Sequence, residues 1–367
     1  MTRKKKIEQL TIRGFKSIRL LDKFPLRDIN ILIGANGVGK SNFISYFNML
    51  KEMIDGRLQI WVRKQGGANR ILTYGVNHTK RMSSAIYFGK NAYGFVLEHT
   101  SDGGVVFIDE AMLYKANDKK EKREDIGKGH IESLLKKRYE ENFSYIIQYV
   151  YPAVASWKVF HFHDTSNTSQ MKQDQGLQNN RYLYEDASNI APYLYKLYQQ
   201  ENLVYQQIRD VVQLAVPFFD DFVLEPRLLS SGEQVIRLAW RQIDSEYIFD
   251  VSQLSDGSLR FICLATALLQ PDPPATIIID EPELGLHPYA LNLLGALVRS
   301  AATRMQVILS TQSVPLLNEF ELEDLIVVER EDGVSTFKRL SSKDFEQWLE
   351  NYTIGELWEK NILGGRP

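Results

Sequence analysis

The chain has 367 residues, enough for one large domain or two lobes with a substantial core. Apolar residues make up 44% and charged residues 25%, and a net charge of −2 with a pI near 6.4 excludes the global positive field that announces nucleic-acid binding. One cysteine, Cys263, excludes an intrachain disulfide; no stretch nears membrane-span length, and the basic opening "MTRKKKIEQL" lacks a signal peptide's apolar core, so a cytoplasmic protein with no membrane association is expected.

The first informative stretch is "INILIGANGVGKSNFISYF", from Ile29. The apolar run Ile29–Ile33 predicts a buried strand, and Phe43, Ile44, Phe47 and Leu50 fall on one face of a following helix. Between them Gly34, Gly39, Lys40 and Ser41 fit G-x-x-x-x-G-K-S, in the strand–loop–helix context that a phosphate loop requires. Glycines let backbone N–H groups curl around a polyphosphate, and the helix N-terminus adds positive dipole. Gly34, Asn36, Gly37, Gly39, Lys40, Ser41 and Asn42 are therefore the candidate nucleotide contacts. Lys40 is placed to reach the β- and γ-phosphates, and the Ser41 hydroxyl to ligate Mg²⁺.

From Ser83 to Tyr114 aromatic and polar residues alternate around "KNAYG" and "SDGG", which predicts antiparallel strands. From about Ala116 to Arg138 charges of both signs dominate, and a solvated loop and helix are expected in preference to a DNA-contacting surface. "WKVFHFHDTSNTS" has two readings. In a strand, His161 and His163 would share a face with Asp164 following, a start toward a metal site. No other His or Cys lies near in sequence, so a strand end or a contact beside the nucleotide is preferred. Ser188–Phe222 reads as helical, with Leu194, Leu197, Tyr198, Val204, Ile208 and Val211 packing.

Two later stretches both read Leu-Ser-x-Gly: "LLSSGEQVIRLAW" from Leu228 and "QLSDGSLRFICLATALL" from Gln253. In the second, Ser255 is a good N-cap and Leu259, Ile262, Cys263 and Leu269 have helical spacing, with Thr266 the polar member of that face. "QPDPP" ends this helix, and a second buried-strand run, Thr276–Ile279, begins at once and ends in Asp280 and Glu281. Adjacent acids at a buried strand end are costly unless a cation or hydrogen bond compensates. Asp280 would hold Mg²⁺ through water, and Glu281 would orient or deprotonate the attacking water. Glu283, in the loop beyond, is the weaker candidate base.

Phosphate loop, then a Leu-Ser-x-Gly helix, then an acidic strand: in this order the chain resembles the ABC-type ATPases. The helix that runs directly into the acidic strand is the one expected to carry their signature, so Ser255, Asp256, Gly257 and Ser258 are assigned to it, and Ser230–Gln234 becomes a turn into a strand or short helix. The resemblance implies a homodimer in which ATP is sandwiched head to tail, Ser255 and Gly257 of one copy meeting the γ-phosphate held by the other. Assembly beyond the dimer stays open.

The span from Lys40 to Asp280 is long for a transporter ATPase, and three stretches resemble the SMC, RecF and OLD-type branch: "GFKSI" near the start, "DEPELGLHP" after the acidic strand, and "VILSTQSVPLLNEF" as the switch strand. There Gln312 stands where that branch often has histidine; it can hydrogen-bond a phosphate or water but gains no charge. The glutamine loop of the class has three candidates, Gln65, Gln148 and Gln170. "TIGELWEKNILGGRP" resembles stand-alone ATPases of this branch, several of which act in antiphage defence beside a separate effector, often a TOPRIM-like nuclease. About 55 residues follow Gln312, too few for a nuclease domain in this chain.

The expected fold is α/β: a P-loop NTPase of ABC-type head architecture with a mixed sheet, an antiparallel β portion and an inserted helical lobe. Residues 1–114 and 246–367 would form the nucleotide-binding lobe and 115–245 the insertion. The expected function is Mg²⁺-dependent ATP hydrolysis coupled to dimerisation, driving a DNA-associated or antiphage-defence complex. Alternatives are a RecF-like repair head that binds DNA itself, a transporter energy-coupling subunit, and a scaffold that binds ATP without turnover.

Overall fold

The computed structural model describes residues 5–114 and 122–365. Two six-stranded sheets dominate it. The first is antiparallel, in the spatial order Ile18–Pro25, Gln9–Phe15, Arg81–Phe88, Asn91–His99, Val105–Tyr114, Lys122–Gly127. The second is mixed: Val334–Arg339, Leu325–Glu331, Ile29–Ile33, Gln306–Ser310, Thr276–Asp280, Lys158–Phe160. Its five strands from Leu325–Glu331 onward run parallel, and the edge strand Val334–Arg339 is antiparallel.

The parallel strands are apolar on both faces because both are covered. Ile31, Ile277, Ile279, Val307 and Leu309 point into one core, shared with the helices Asp256–Leu269 and Pro288–Ala302. Leu32, Ile278 and Ile308 point into the other, filled by the helix Lys40–Ile54 and the antiparallel sheet. Gln306, essentially buried, fastens the two sheets. Its amide donates to the carbonyls of Ile7 (2.7 Å) and Arg27 (2.8 Å) and accepts from Ile7 N and Thr276 Oγ1, so no polar group is stranded.

Three expectations are corrected. The charged stretch after Ala116 is not only loop and helix. Residues 115–121 lie outside the described residues, but Lys122–Gly127 is the sixth strand of the antiparallel sheet, and the helix is Leu135–Glu140. Its charges pair across and along the strand, Arg123 with Asp109 (2.6 Å) and Asp125 (2.8 Å), which suits a sheet edge and hides the apolar alternation. The described part of the span 115–245 is not helical throughout. It holds the helices Ile147–Ala155, Ile190–Gln200 and Asn202–Ala215, but also the edge strand Lys158–Phe160 of the mixed sheet and five of the six short strands of two small three-stranded sheets, the sixth, Ile248–Asp250, lying beyond it. Helix gives way to the strand Phe219–Val223 within the stretch read as helical, and Tyr198 is 48% exposed where core packing was expected. "LSSGEQ" is a hairpin turn between Arg227–Leu228 and Gln234–Ile236, as its strand reading required.

Candidate nucleotide and phosphate site

Strand registers bring the predicted residues to one sheet edge. Asp280 lies beside Ser310, Ser310 beside Leu32, and Phe160 beside Ile279, so the carboxyl ends of four parallel strands open onto one cleft. Gly34–Gly39 leaves the end of Ile29–Ile33 and enters the helix Lys40–Ile54. That helix has no side-chain cap, so its first N–H groups face outward as anion donors. Gly39 at φ 122° tolerates no side chain, because a Cβ would collide with Ser335 Oγ. Ser335 hydrogen-bonds Ser17 Oγ (2.6 Å) and the Val38 carbonyl, and Asn42 Nδ2 also donates to Ser17 Oγ (2.6 Å). Two serines distant in sequence, Ser17 in a hairpin turn and Ser335 in the edge strand, thus brace the back of the loop.

The Lys40 ammonium donates to the carbonyls of Gly34 (2.5 Å) and Ala35 (2.9 Å). Burial pulls its pKa below the ordinary lysine value, while the carboxylates of Glu281, Asp280 and Glu283 pull it back up. Ser310 Oγ donates to Asp280 Oδ1, which fixes that carboxylate. Glu281 sits at φ 44°, a left-handed backbone rare for glutamate, held by its own N–H on the Ser310 carbonyl (2.9 Å). Gln312 ties the site together. Its Nε2 donates to Glu281 Oε1 (2.9 Å) and to Asn36 Oδ1 (2.8 Å), and its backbone N–H donates to Glu283 Oε1 (2.8 Å). Burial pushes the Glu283 carboxyl above its usual range.

Beside the loop lies a cleft of about 570 Å³ lined by Lys16, Ser17, Asn42, Gln65, Tyr74 and Arg330. Lys16, at the tip of the "GFKSI" hairpin, donates to Ser45 Oγ (2.7 Å) and Gln65 Oε1 (2.9 Å). Of the three glutamine-loop candidates, Gln65 therefore lines this cleft. Gln148 is bonded to Asn142 (3.0 Å) on the helix Ile147–Ala155, and Gln170 lies in the turn Gln170–Lys172.

Ser255 caps the helix Asp256–Leu269 by accepting from Ser258 N (3.0 Å). Gly257 packs so closely on the Gly285 carbonyl that a Cβ has no room there. Among the described residues the contacts of Ser255 and Gly257 run to their own helix and to the turn beyond the acids, whereas Gln312 links Asn36 to Glu281 and Lys40 bonds the loop carbonyls of Gly34 and Ala35.

The His161–Asp164 reading is corrected in part. The strand stops at Phe160, so the two histidines do not share a strand face. His161 Nε2 lies 3.2 Å from Asn48 Nδ2 and 3.3 Å from Asn48 Oδ1, and burial lowers its pKa; His163 Nε2 meets the Asp280 carbonyl at 3.1 Å; Asp164 accepts from Ser166 N and Oγ. No group of three or more His, Cys, Asp or Glu among the described residues could hold a metal ion. His163 instead reaches the acidic strand end, which the sequence spacing does not reveal because the contact joins residues 117 apart.

The protein is similar in fold to the crystal structure of an Smc head bound to the C-terminal winged-helix domain of ScpA, with TM-score 0.61 and 15% identity over 92% of this chain and 99% of that one. It is also similar to an Smc head with an extended coiled coil bound to the C-terminal domain of ScpA, from Pyrococcus furiosus, with TM-score 0.57 and 15% identity over 94% of this chain and 98% of that one. A curated relative, the Nod factor export ATP-binding protein I of Rhizobium etli, is 36% identical over 74 residues, which is 20% of this chain and 23% of that protein. The fold is thus that of an SMC-like, ABC-type P-loop ATPase head. No helix among the described residues is long and apolar enough to cross a membrane. Residues 29–318, well over half the chain, match the AAA_21 family, described as "AAA domain, putative AbiEii toxin, Type IV TA system", and the chain belongs to that family.

Proposed function

We propose that the protein binds Mg²⁺-ATP on the Gly34–Asn42 loop and hydrolyses it with Glu281 as the base. The observation that carries this reading is the Gln312 side chain, bonded at once to Asn36 of the loop and to Glu281 of the acidic strand. It holds the base and the phosphate loop across one cleft, the arrangement in-line attack by water requires. Helix N–H groups and Lys40 take the β- and γ-phosphates, and the 570 Å³ cleft beside Ser17 and Asn42 suits the nucleoside in position and size. Ser41, exposed at the helix start, and Asp280, fixed by Ser310, offer the hard oxygen ligands that Mg²⁺ prefers. When bound, the ion supplies charge neutralisation at the phosphate oxygens. Glu281 takes the proton of the attacking water, and Gln312 orients that carboxylate.

Two copies pair head to tail, Ser255 and Gly257 of each completing the other's phosphate site, in the cytoplasm. The division into a nucleotide-binding lobe (1–114 and 246–367) and an insertion (115–245) goes with this reading as a division of the chain, the insertion lending the strands Lys122–Gly127 and Lys158–Phe160 to the two large sheets. The Smc heads similar in fold were solved with a ScpA domain bound. By that likeness, and with the family match, the cycle here drives a separate effector protein in a DNA-associated or defence complex, an effector of the TOPRIM-like nuclease kind. The test is the mass in solution of the Glu281→Gln protein. Mg²⁺-ATP should convert it from monomer to dimer, and Ser255→Arg in the same background should block that. A protein that stays monomeric with saturating ATP refutes the sandwich.

A further inference from the structure

Arg260 lies in the second turn of the helix that Ser255 opens, and its guanidinium is spent entirely on backbone carbonyls of other segments. Nε donates to the Phe162 carbonyl (3.0 Å), Nη2 to the His163 carbonyl (2.9 Å) and Nη1 to the Leu284 carbonyl (2.8 Å). Phe162 and His163 follow the edge strand Lys158–Phe160, and His163 in turn bonds the Asp280 carbonyl. Leu284 is three residues past Glu281. One rigid, planar cation thus joins the helix to both segments that flank the acidic strand end. Two further contacts tighten the same junction. The Gly257 backbone lies flush on the Gly285 carbonyl, and Lys172, almost fully buried, reaches Asp256 at 3.4 Å.

We infer that Arg260 is a positioning residue that makes the Ser255 helix, the His163 segment and the turn after Glu281 move as one body. A shift of Glu281 and Asp280 on loading their own nucleotide is thereby passed to Ser255 and Gly257. The guanidinium itself touches backbone only, so its effect on chemistry runs through the groups it holds. The two segments it joins lie 97 and 24 residues away, and a packed, fully hydrogen-bonded junction of this kind transmits a displacement that three separate loops would absorb. The inference rests on the ATPase reading above, because the shared displacement matters only if Glu281 and Ser255 serve nucleotide sites.

The test uses Arg260→Lys, which keeps the charge but not the three-way fork, and Arg260→Met, which keeps the packing. Steady-state hydrolysis should show kcat reduced roughly ten- to a hundredfold in both, with the KM for ATP within about twofold of wild type. Binding of a fluorescent ATP analogue to the monomer should be unchanged. In the Glu281→Gln background, either substitution should raise the ATP concentration needed for half-maximal dimerisation several-fold. Unchanged kcat in both variants overturns the inference. So does parallel loss of analogue binding and thermal stability, which would mark Arg260 as structural only. If the wild type hydrolyses ATP but Glu281→Gln never dimerises, the sandwich falls, and the kcat of the Arg260 variants still decides whether the junction controls the chemistry. A wild type that neither binds nor hydrolyses ATP removes the reading on which the inference stands.

Discussion

Gly257→Ala puts one methyl group where the Gly285 carbonyl oxygen sits. The obstacle is main chain on both sides, so no rotamer change relieves it: the start of the helix Asp256–Leu269 or the turn 284–286 must shift. Overpacking of this kind costs about 1–3 kcal/mol. Ser255→Ala, by contrast, removes the cap on Ser258 N and the hydroxyl contact with Ser258 Oγ (2.8 Å), and costs about 1 kcal/mol. Urea unfolding of the nucleotide-free monomer separates the two accounts of Gly257. If the glycine were required only for a partner's phosphate to approach, Gly257→Ala would leave nucleotide-free stability near that of wild type. If it is required by the Gly285 contact, Gly257→Ala should be the more destabilising of the two, with the slope against urea unchanged. A Gly257→Ala midpoint at that of wild type refutes the packing argument.

Lys40→Ala removes a charge-assisted phosphate contact of about 1.5–3 kcal/mol, so the Kd of an ATP analogue should rise at least roughly tenfold by titration calorimetry. Gln312→Ala breaks the link between Asn36 and Glu281, and should lower kcat roughly ten- to a hundredfold while leaving KM within a few-fold. Burial raises the Glu283 carboxyl above its unfolded value, so its proton is held more tightly in the folded protein and stability falls as pH rises through that range. Glu283→Gln should therefore raise the melting temperature at pH 7 to 8, with the gain shrinking as pH drops toward about 4, where the unfolded carboxyl is protonated too.

The cleft was legible where chemistry and secondary structure coincide within one short stretch. Ile29–Ile33, the loop to Ser41 and the helix after it follow from one apolar run, fixed glycines and one helical face, and Thr276–Asp280 likewise. The Ser255 cap follows from the same local logic. What the sequence hid are contacts made across the fold. Ser17 and Ser335 brace the phosphate loop from 318 residues apart, Ser310 pins Asp280, and Arg260 binds carbonyls of two separate loops. A serine or arginine at those positions carries no local pattern. The edge strand Lys122–Gly127 was masked for a different reason: its side chains satisfy one another by charge, so period-two burial never shows in its composition.

The most direct measurement is steady-state Mg²⁺-ATP hydrolysis by the purified protein, with and without double-stranded DNA, beside Glu281→Gln. The account predicts turnover by the wild type and none by Glu281→Gln, which should still bind ATP. Strong stimulation by DNA would add a head that senses DNA itself, and indifference to DNA a machine gated by its protein partner. Normal turnover by Glu281→Gln would contradict the account, because the base would then lie elsewhere.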